Sequence, residues 1–288
     1  MDDRRRLLLV GYPQVEAETI RSLITAARAA GAAAPLVPPT RLVPALIGGH
    51  GSVLLDGRPL HPTAAIGVGI GGHPRTSLAI FRAFEGDGVR TLNEIGAAFR
   101  ARDRFAMIGL LAASGVPTPS VALAAHDEEL VTCARLVGFP LVVAAAEGPP
   151  DIDHRTAAGP GDLAAAAATI RRFEWDPVVL LGLPDAGTVW RVLVLAGRVL
   201  AAVPHRPPHL GPSAVPEVTG APPRALRSLA LAATTAAGLS WAAIDIALGE
   251  SGPLVVEVDA WPDLAALESA SGRALAGAVV KHLLRPSD

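Results

Sequence analysis

Lysine is almost missing from this chain of 288 residues: Lys281 is the only one, so arginine supplies 24 of the 25 basic side chains, 25 less that one. Cysteine is as scarce. Cys133 alone excludes an internal disulfide and suits a reducing, cytoplasmic setting. In a helix-like stretch before Leu136-Val137 it reads as a small buried hydrophobe rather than a nucleophile. Aromatics are 4% of the chain against 50% hydrophobic residues, so any core rests on alanine and aliphatic side chains. No run of about 18 apolar residues occurs, which argues against a membrane-spanning helix. Excess charge is missing too. A net charge of −2 with scattered basic residues leaves no electrostatic footprint for nucleic acid. The basic start, Arg4-Arg5-Arg6 before Leu7-Leu8-Leu9-Val10, is too short in its apolar part for a secretion signal. It closes on Gly11-Tyr12-Pro13 and fits a first strand. The eight histidines show no metal spacing, since His205 and His209 stand four apart among prolines. No Ser-His-Asp order with a nucleophile elbow appears.

What is present alternates. Residues 7–11 read as a strand and the alanine-rich stretch to about 30 as a helix. Short strands follow near 34–37, 53–55 and 64–66, then a helix over 74–85 and a strand before Asn93. This order predicts an open α/β sheet of Rossmann type. Gly67-Val68-Gly69-Ile70-Gly71-Gly72 follows a later strand of that sheet, so it reads as a tight turn and not a dinucleotide loop. Beyond it the pattern predicts a helix through Met107, a strand near Val121, a helix over 128–137, a strand ending at Ala144 and a helix capped by Asp162. Paired strands follow from Val178, with helices over 225–237 and 272–284 and a proline-rich surface loop over 204–223. Trp190 and Trp241 read as core anchors.

The richest chemistry lies near the end. Two apolar strands joined by Gly249-Glu250-Ser251-Gly252 carry Asp245 on one and Glu257 and Asp259 on the other. Residues two apart on a strand share a face. Hairpin pairing brings Asp245 opposite Glu257 to within about one residue. Three carboxylates on an oily face need a cation, a basic partner or water between them.

The order Gly238-Leu239, Ile244-Asp245-Ile246, Pro253-Leu254-Val255-Val256-Glu257-Val258-Asp259, Pro262, Leu267-Glu268 and Gly272 resembles the C-terminal signature of ATP-grasp carboxylate–amine ligases. It is nearest the RimK branch, which adds glutamate to a ribosomal protein and has relatives in lysine and coenzyme biosynthesis. Thr91-Leu92-Asn93-Glu94, Ala101-Arg102-Asp103-Arg104 and Gly115-Val116-Pro117-Thr118-Pro119 match the family's entry segments in order. Arg191 with Leu193 to Val199 resembles its Asp-x-Arg strand and hairpin. The resemblance implies an ATP-grasp fold behind a Rossmann-like domain over 1–97, with a lid lobe over about 98–172 and a large lobe over about 173–288. It also implies that Asp245, Glu257 and Asp259 hold magnesium against ATP phosphates, the last being Asn in most relatives.

The same comparison shows departures. The family grips phosphate with two lysines; the first position is Arg104 and the second is Ala144. The Gly-rich loop reads Glu147-Gly148-Pro149-Pro150-Asp151-Ile152-Asp153, where two prolines remove N–H donors. Its aspartates would face phosphate, and like charges at roughly 4 Å cost about 4 kcal/mol at an effective dielectric near 20. The nucleotide hinge is Val178 to Gly182, without an acidic residue, and the acidic partner of the Asp-x-Arg motif is Val189. After Arg206 comes Pro207-Pro208-His209-Leu210-Gly211-Pro212 in place of an Asn and a Gly-Gly pair. The expectation is a degenerate RimK-like pseudoenzyme, non-catalytic or weakly active, serving as a binding or scaffold subunit in peptide or coenzyme assembly. ATP binding at the Arg104–Gly148 site would be weak or absent. The alternative is an active ATP- and magnesium-dependent glutamate ligase working through an acyl phosphate, with Arg104, Arg191 and Arg206 offsetting phosphate charge. The expected partners are a second copy or an active ligase and a small-molecule or peptide carboxylate, with neither nucleic acid nor membrane.

Overall fold

The computed structural model describes residues 6–70, 74–148, 154–172, 177–182, 189–205, 223–249 and 252–285. Two compact units share the chain: residues 1–99 with 261–288, and residues 100–260.

The first unit begins with β1 (Leu7–Gly11), α1 (Ala17–Ala29) and β2 (Leu36–Val37). Two hairpins follow, β3 (Leu42–Ile47), β4 (His50–Leu55) and β5 (Arg58–Pro59), before β6 (Ala64–Val68), α2 (Pro74–Gly86) and α3 (Ile95–Arg100). A parallel sheet of order β2-β1-β6 forms the centre. Leu7, Leu8, Leu9 and Val10 are buried on both faces of the sheet, as a parallel strand flanked by helices requires. Helix α1 turns Ile20, Leu23 and Ala27 inward at the three- and four-residue spacing of one helical stripe.

Between β2 and β6 the sequence reading saw one strand, near 53–55. The structure has a three-stranded antiparallel meander. Its turns, Gly48-Gly49 and Asp56-Gly57, all carry positive φ, the requirement of two-residue type I′ hairpins. No strand precedes Asn93; Arg90 makes only an isolated bridge to Ala64.

The second unit opens with α4 (Arg104–Ala113), β7 (Val121–Ala124), α5 (Leu130–Val137), β8 (Leu141–Ala145), β9 (His154–Ala157), α6 (Pro160–Arg171) and β10 (Val178–Gly182). These strands make an antiparallel sheet of order β7-β10-β8-β9. Alternation along β8 sends Leu141, Val143 and Ala145 to a cluster with Cys133, Leu163 and Ile170 on α5 and α6. Ala144 and Ala146 face the other way, against Ile108 of α4. Asp162 is not the cap of α6. The cap lies three residues earlier, at Gly159, with Pro160 in the first turn. Proline's fixed φ suits that position, and the Asp162 carboxylate reaches back to accept from the Ala158 N–H at 3.1 Å.

β11 (Val189–Leu195), β12 (Arg198–His205), α7 (Arg224–Ala236), β13 (Trp241–Gly249) and β14 (Gly252–Asp259) complete this unit. The sheet runs β12-β11-β13-β14, antiparallel throughout. Trp190 and Trp241 are buried in it, as expected.

The final helices, α8 (Leu264–Ser271) and α9 (Ala276–Leu283), return to the first unit. Thr19 Oγ1 donates to Asp263 Oδ1 at 2.9 Å, and Ser22 Oγ to Glu268 Oε2 at 2.6 Å. Glu268 also accepts the Leu275 and Ala276 N–H groups, so one carboxylate ties α1 to the start of α9. Among the described residues no helix is long and apolar enough to cross a membrane.

Candidate functional site

Register places the chemistry. From the β13–β14 turn the ladder runs Gly249–Gly252, Leu248–Pro253, Ala247–Leu254, Ile246–Val255. Continued without change, it would set Val256 opposite Asp245 and turn Glu257 to the other face. A bulge intervenes. Val256 is the extra residue, and Asp245 pairs with Glu257 while Ala243 pairs with Asp259. At the bulge the Val255 N–H donates to the Pro117 carbonyl at 2.9 Å. On the other side of β13, Arg191 is the residue opposite Asp245. Arg191, Asp245 and Glu257 therefore form one row across three strands, with Asp259 one step along the same face.

Arg191 grips Asp245 with two hydrogen bonds, Nε to Oδ1 at 2.9 Å and Nη2 to Oδ2 at 3.2 Å. Its Nη2 also stands 3.7 Å from Asp259 Oδ2. All three side chains are buried, so this planar fork supplies the charge compensation that the low-dielectric site demands. Glu257 is less well served. Burial pushes its carboxyl up to about 8, Asp245 and Asp259 reinforce the shift, and Arg104 and Arg191 oppose it.

Arg104 comes from a different element. Asp103 caps α4 by accepting from the Ala106 N–H at 2.9 Å. The Arg104 N–H donates to the Ala146 carbonyl at 2.9 Å, and its Nη1 to the Ala145 carbonyl at 2.8 Å. The guanidinium is thereby pinned along the end of β8, with Nε 3.5 Å from Glu257 Oε1. Five residues named from sequence, Arg104, Arg191, Asp245, Glu257 and Asp259, thus meet in one cluster.

Other positions fall differently. Ala144, at the second lysine position, is fully buried among Ile108, Ala146, Val179 and Leu181. Gly148 is buried, with φ of 152°, a conformation reserved for glycine. Val189 is buried at the start of β11. Arg206, the prolines after it and residues 149–153 lie outside the described residues. One cation escaped the sequence reading: Arg102, inside the quoted Ala-Arg-Asp-Arg segment. Burial holds its guanidinium below the usual range, the negative charge of Glu147 pulls the other way, and Arg104 adds like-charge repulsion. The signal was its spacing, two residues before Arg104.

Among the described residues no group of three His, Cys, Asp or Glu side chains is arranged to hold a metal ion. The carboxylates of the cluster are nonetheless hard oxygen donors, the chemistry magnesium takes, and they share one face. Arg191 and Arg104 stand in the role of their cations.

No family model matches the chain. A probable α-L-glutamate ligase of Thioalkalivibrio sulfidiphilus is 31% identical over 277 residues, covering 91% of this chain and 90% of that protein. Another, of Methanococcoides burtonii, is 31% identical over 218 residues, 71% of this chain and 70% of that protein. Among solved structures, a RimK domain ATP-grasp protein of Sphaerobacter thermophilus superposes with a TM-score of 0.73 at 21% identity, covering 97% of this chain and 100% of that one. The ATP-grasp ligase PsnB, solved with a minimal precursor, magnesium and ADP, gives 0.72 at 19% identity over 99% and 97% of the two chains. The solved structures establish the ATP-grasp fold, and the curated relatives the lineage: the chain belongs to the α-L-glutamate ligase family, of the RimK type.

Proposed function

We propose that this protein is an ATP- and magnesium-dependent carboxylate–amine ligase, joining an amine such as that of glutamate to an acceptor carboxylate through an acyl phosphate. The observation that carries the reading is the row Arg191, Asp245 and Glu257 with Asp259 beside it, set in a chain related over nine-tenths of its length to α-L-glutamate ligases.

Two transfers make the reaction. An acceptor carboxylate oxygen attacks the γ-phosphorus of ATP and the bond to the bridging oxygen breaks, releasing ADP. The amine nitrogen then attacks the acyl carbon, phosphate departs with the C–O electron pair, and the nitrogen gives up a proton to leave an amide. Little of this is covalent work for the protein; positioning and charge stabilisation supply most of the catalysis. Bound magnesium supplies charge neutralisation to the phosphate oxygens, and Asp245, Glu257 and Asp259 are the residues that would hold it. Arg191 holds Asp245 to one rotamer in a buried site through two hydrogen bonds. Arg104 offers a fixed positive charge at the first turn of α4. Glu257 must lose its proton to act as a ligand, and its value of about 8 sets that step just above neutrality.

A second reading, a binding or scaffold subunit with a weakened nucleotide site, is favoured by Ala144. No cation stands at that position, and the side chain is sealed into an apolar cluster. ADP release separates the two. Release that requires both glutamate and a carboxylate acceptor supports the ligase. Its absence across small-molecule and peptide carboxylates, with nucleotide binding appearing only in Ala144→Lys, supports the scaffold.

A further inference from the structure

The sheet β7-β10-β8-β9 carries a polar ring on an otherwise apolar face. Ala144 of β8 pairs with His154 of β9, and directly opposed residues of an antiparallel ladder share a face. That is the face on which Ala144 and Ala146 pack with Ile108, Val179 and Leu181. His154 is only 8% exposed there. The Cβ atoms of such a pair lie about 4.5–5.5 Å apart, so the small side chain at 144 leaves the space between them to the imidazole. β9 is the edge of its sheet, and no further strand crowds the ring from outside.

Basic groups collect around this end of the sheet. Arg104 is pinned to the Ala145 and Ala146 carbonyls, immediately beyond Ala144. Arg102 lies in the field of Glu147 and is repelled by Arg104. Asp103 turns its carboxylate to the Ala106 N–H, while its main chain bridges to Glu147, so the approach to α4 and the exit of β8 are stitched together. The connection from Glu147 to His154 contains Pro149 and Pro150, which have no N–H to offer an anion. His154 is the first residue of the strand after that connection. Its ring presents an N–H donor in both the neutral and the charged form.

We propose that His154 is a phosphate-binding residue of this chain, donating from its imidazole to the polyphosphate of a magnesium nucleotide. The proposal rests on the ligase reading above and deepens it. Two departures of the chain then compensate each other across one strand pair. A lysine is missing at 144, and a hydrogen-bond donor stands directly opposite on the same face. The donors that the two prolines remove from the connection are replaced in part at its exit, by a side chain held on a strand. With Arg104 at the end of β8, the anion meets a donor from each of two elements packed on one sheet. A histidine that merely filled this face would leave nucleotide affinity untouched, which separates the two roles by measurement.

Titration calorimetry of the full chain tests this, with magnesium-ATP, magnesium-ADP and adenosine as probes. His154→Ala should weaken both magnesium nucleotides about tenfold and leave adenosine within about twofold. Adding Ala144→Lys to His154→Ala should recover most of the loss, because the new ammonium enters from the opposed position into the space the ring vacates. In the unmodified protein, labelled at its imidazole nitrogens, magnesium-ADP should move the ring signal that is missing from His154→Gln. Nucleotide affinity unchanged in His154→Ala overturns the proposal and leaves the ligase reading standing. So does an equal loss for adenosine, a double variant as weak as His154→Ala, or a His154 signal that magnesium-ADP does not move. A wild-type chain that binds neither nucleotide overturns the reading and the proposal together.

Discussion

Arg191 and Asp245 are each nearly useless alone in so dry a site. Their two hydrogen bonds share one buried location, and removing one partner leaves the other charged and unsolvated. Arg191→Ala should therefore cost about 3–5 kcal/mol of stability, read as a fall in the urea midpoint. A loss near zero would mean that solvent reaches Asp245. Glu257 makes a prediction with a definite sign. Its folded value, about 8, lies above the ordinary 4.5, so the native state holds a proton that the unfolded chain releases. The stability from this group is fully present below about 4.5 and is lost as pH rises towards about 8. Denaturation midpoints should fall across that window, and Glu257→Gln, which cannot ionise, should flatten the decline. Most of this cluster was legible in the residues: acids at 245, 257 and 259 with Arg191 upstream. That Arg104 completes it was legible only as a motif position. The hydrogen bonds aiming it at Glu257 come from the Ala145 and Ala146 carbonyls, which have no sequence signature.

Elements succeed or fail on backbone geometry that local sequence states unevenly. The parallel strands β1 and β6 and the helices between them follow from apolar runs and three-to-four spacing. The meander was read as a single strand because β3 and β5 alternate weakly and one is two residues long, although the Gly48-Gly49 and Asp56-Gly57 turns announce it. The Val256 bulge had no signal at all. It lies just beyond Val255, which is buried opposite Ile246 in the register the turn sets, and it decides which way Glu257 faces. Glycines test the element scale directly. A Cβ at Gly51 of β4 would lie 2.4 Å from the Ala83 carbonyl oxygen on α2, so Gly51→Ala should destabilise by about 1–3 kcal/mol. Gly109 stands in α4 with open space where its Cβ would be, so Gly109→Ala should stabilise by about 0.5–1 kcal/mol. Paired thermal melts check both; two changes of the same sign would contradict the packing described for β4 and α2.

The chain has the ATP-grasp fold and belongs to the α-L-glutamate ligase family, and it divides into two units, residues 1–99 with 261–288 and residues 100–260. The last helices, α8 and α9, follow the second unit in sequence and belong to the first. Their partners, Thr19 and Ser22, lie more than 240 residues earlier, and pairings at that range leave no local trace. The carboxylate face invites a divalent cation, whereas Ala144 and the single lysine of the chain withhold positive charge from a triphosphate. Titration calorimetry of magnesium-ATP into the full chain, repeated with Glu257→Gln, weighs these against each other. A working ligase site predicts saturable binding that strengthens as pH rises towards about 8 and weakens about tenfold or more in Glu257→Gln. No saturable binding, or binding equal in the two proteins, would contradict it.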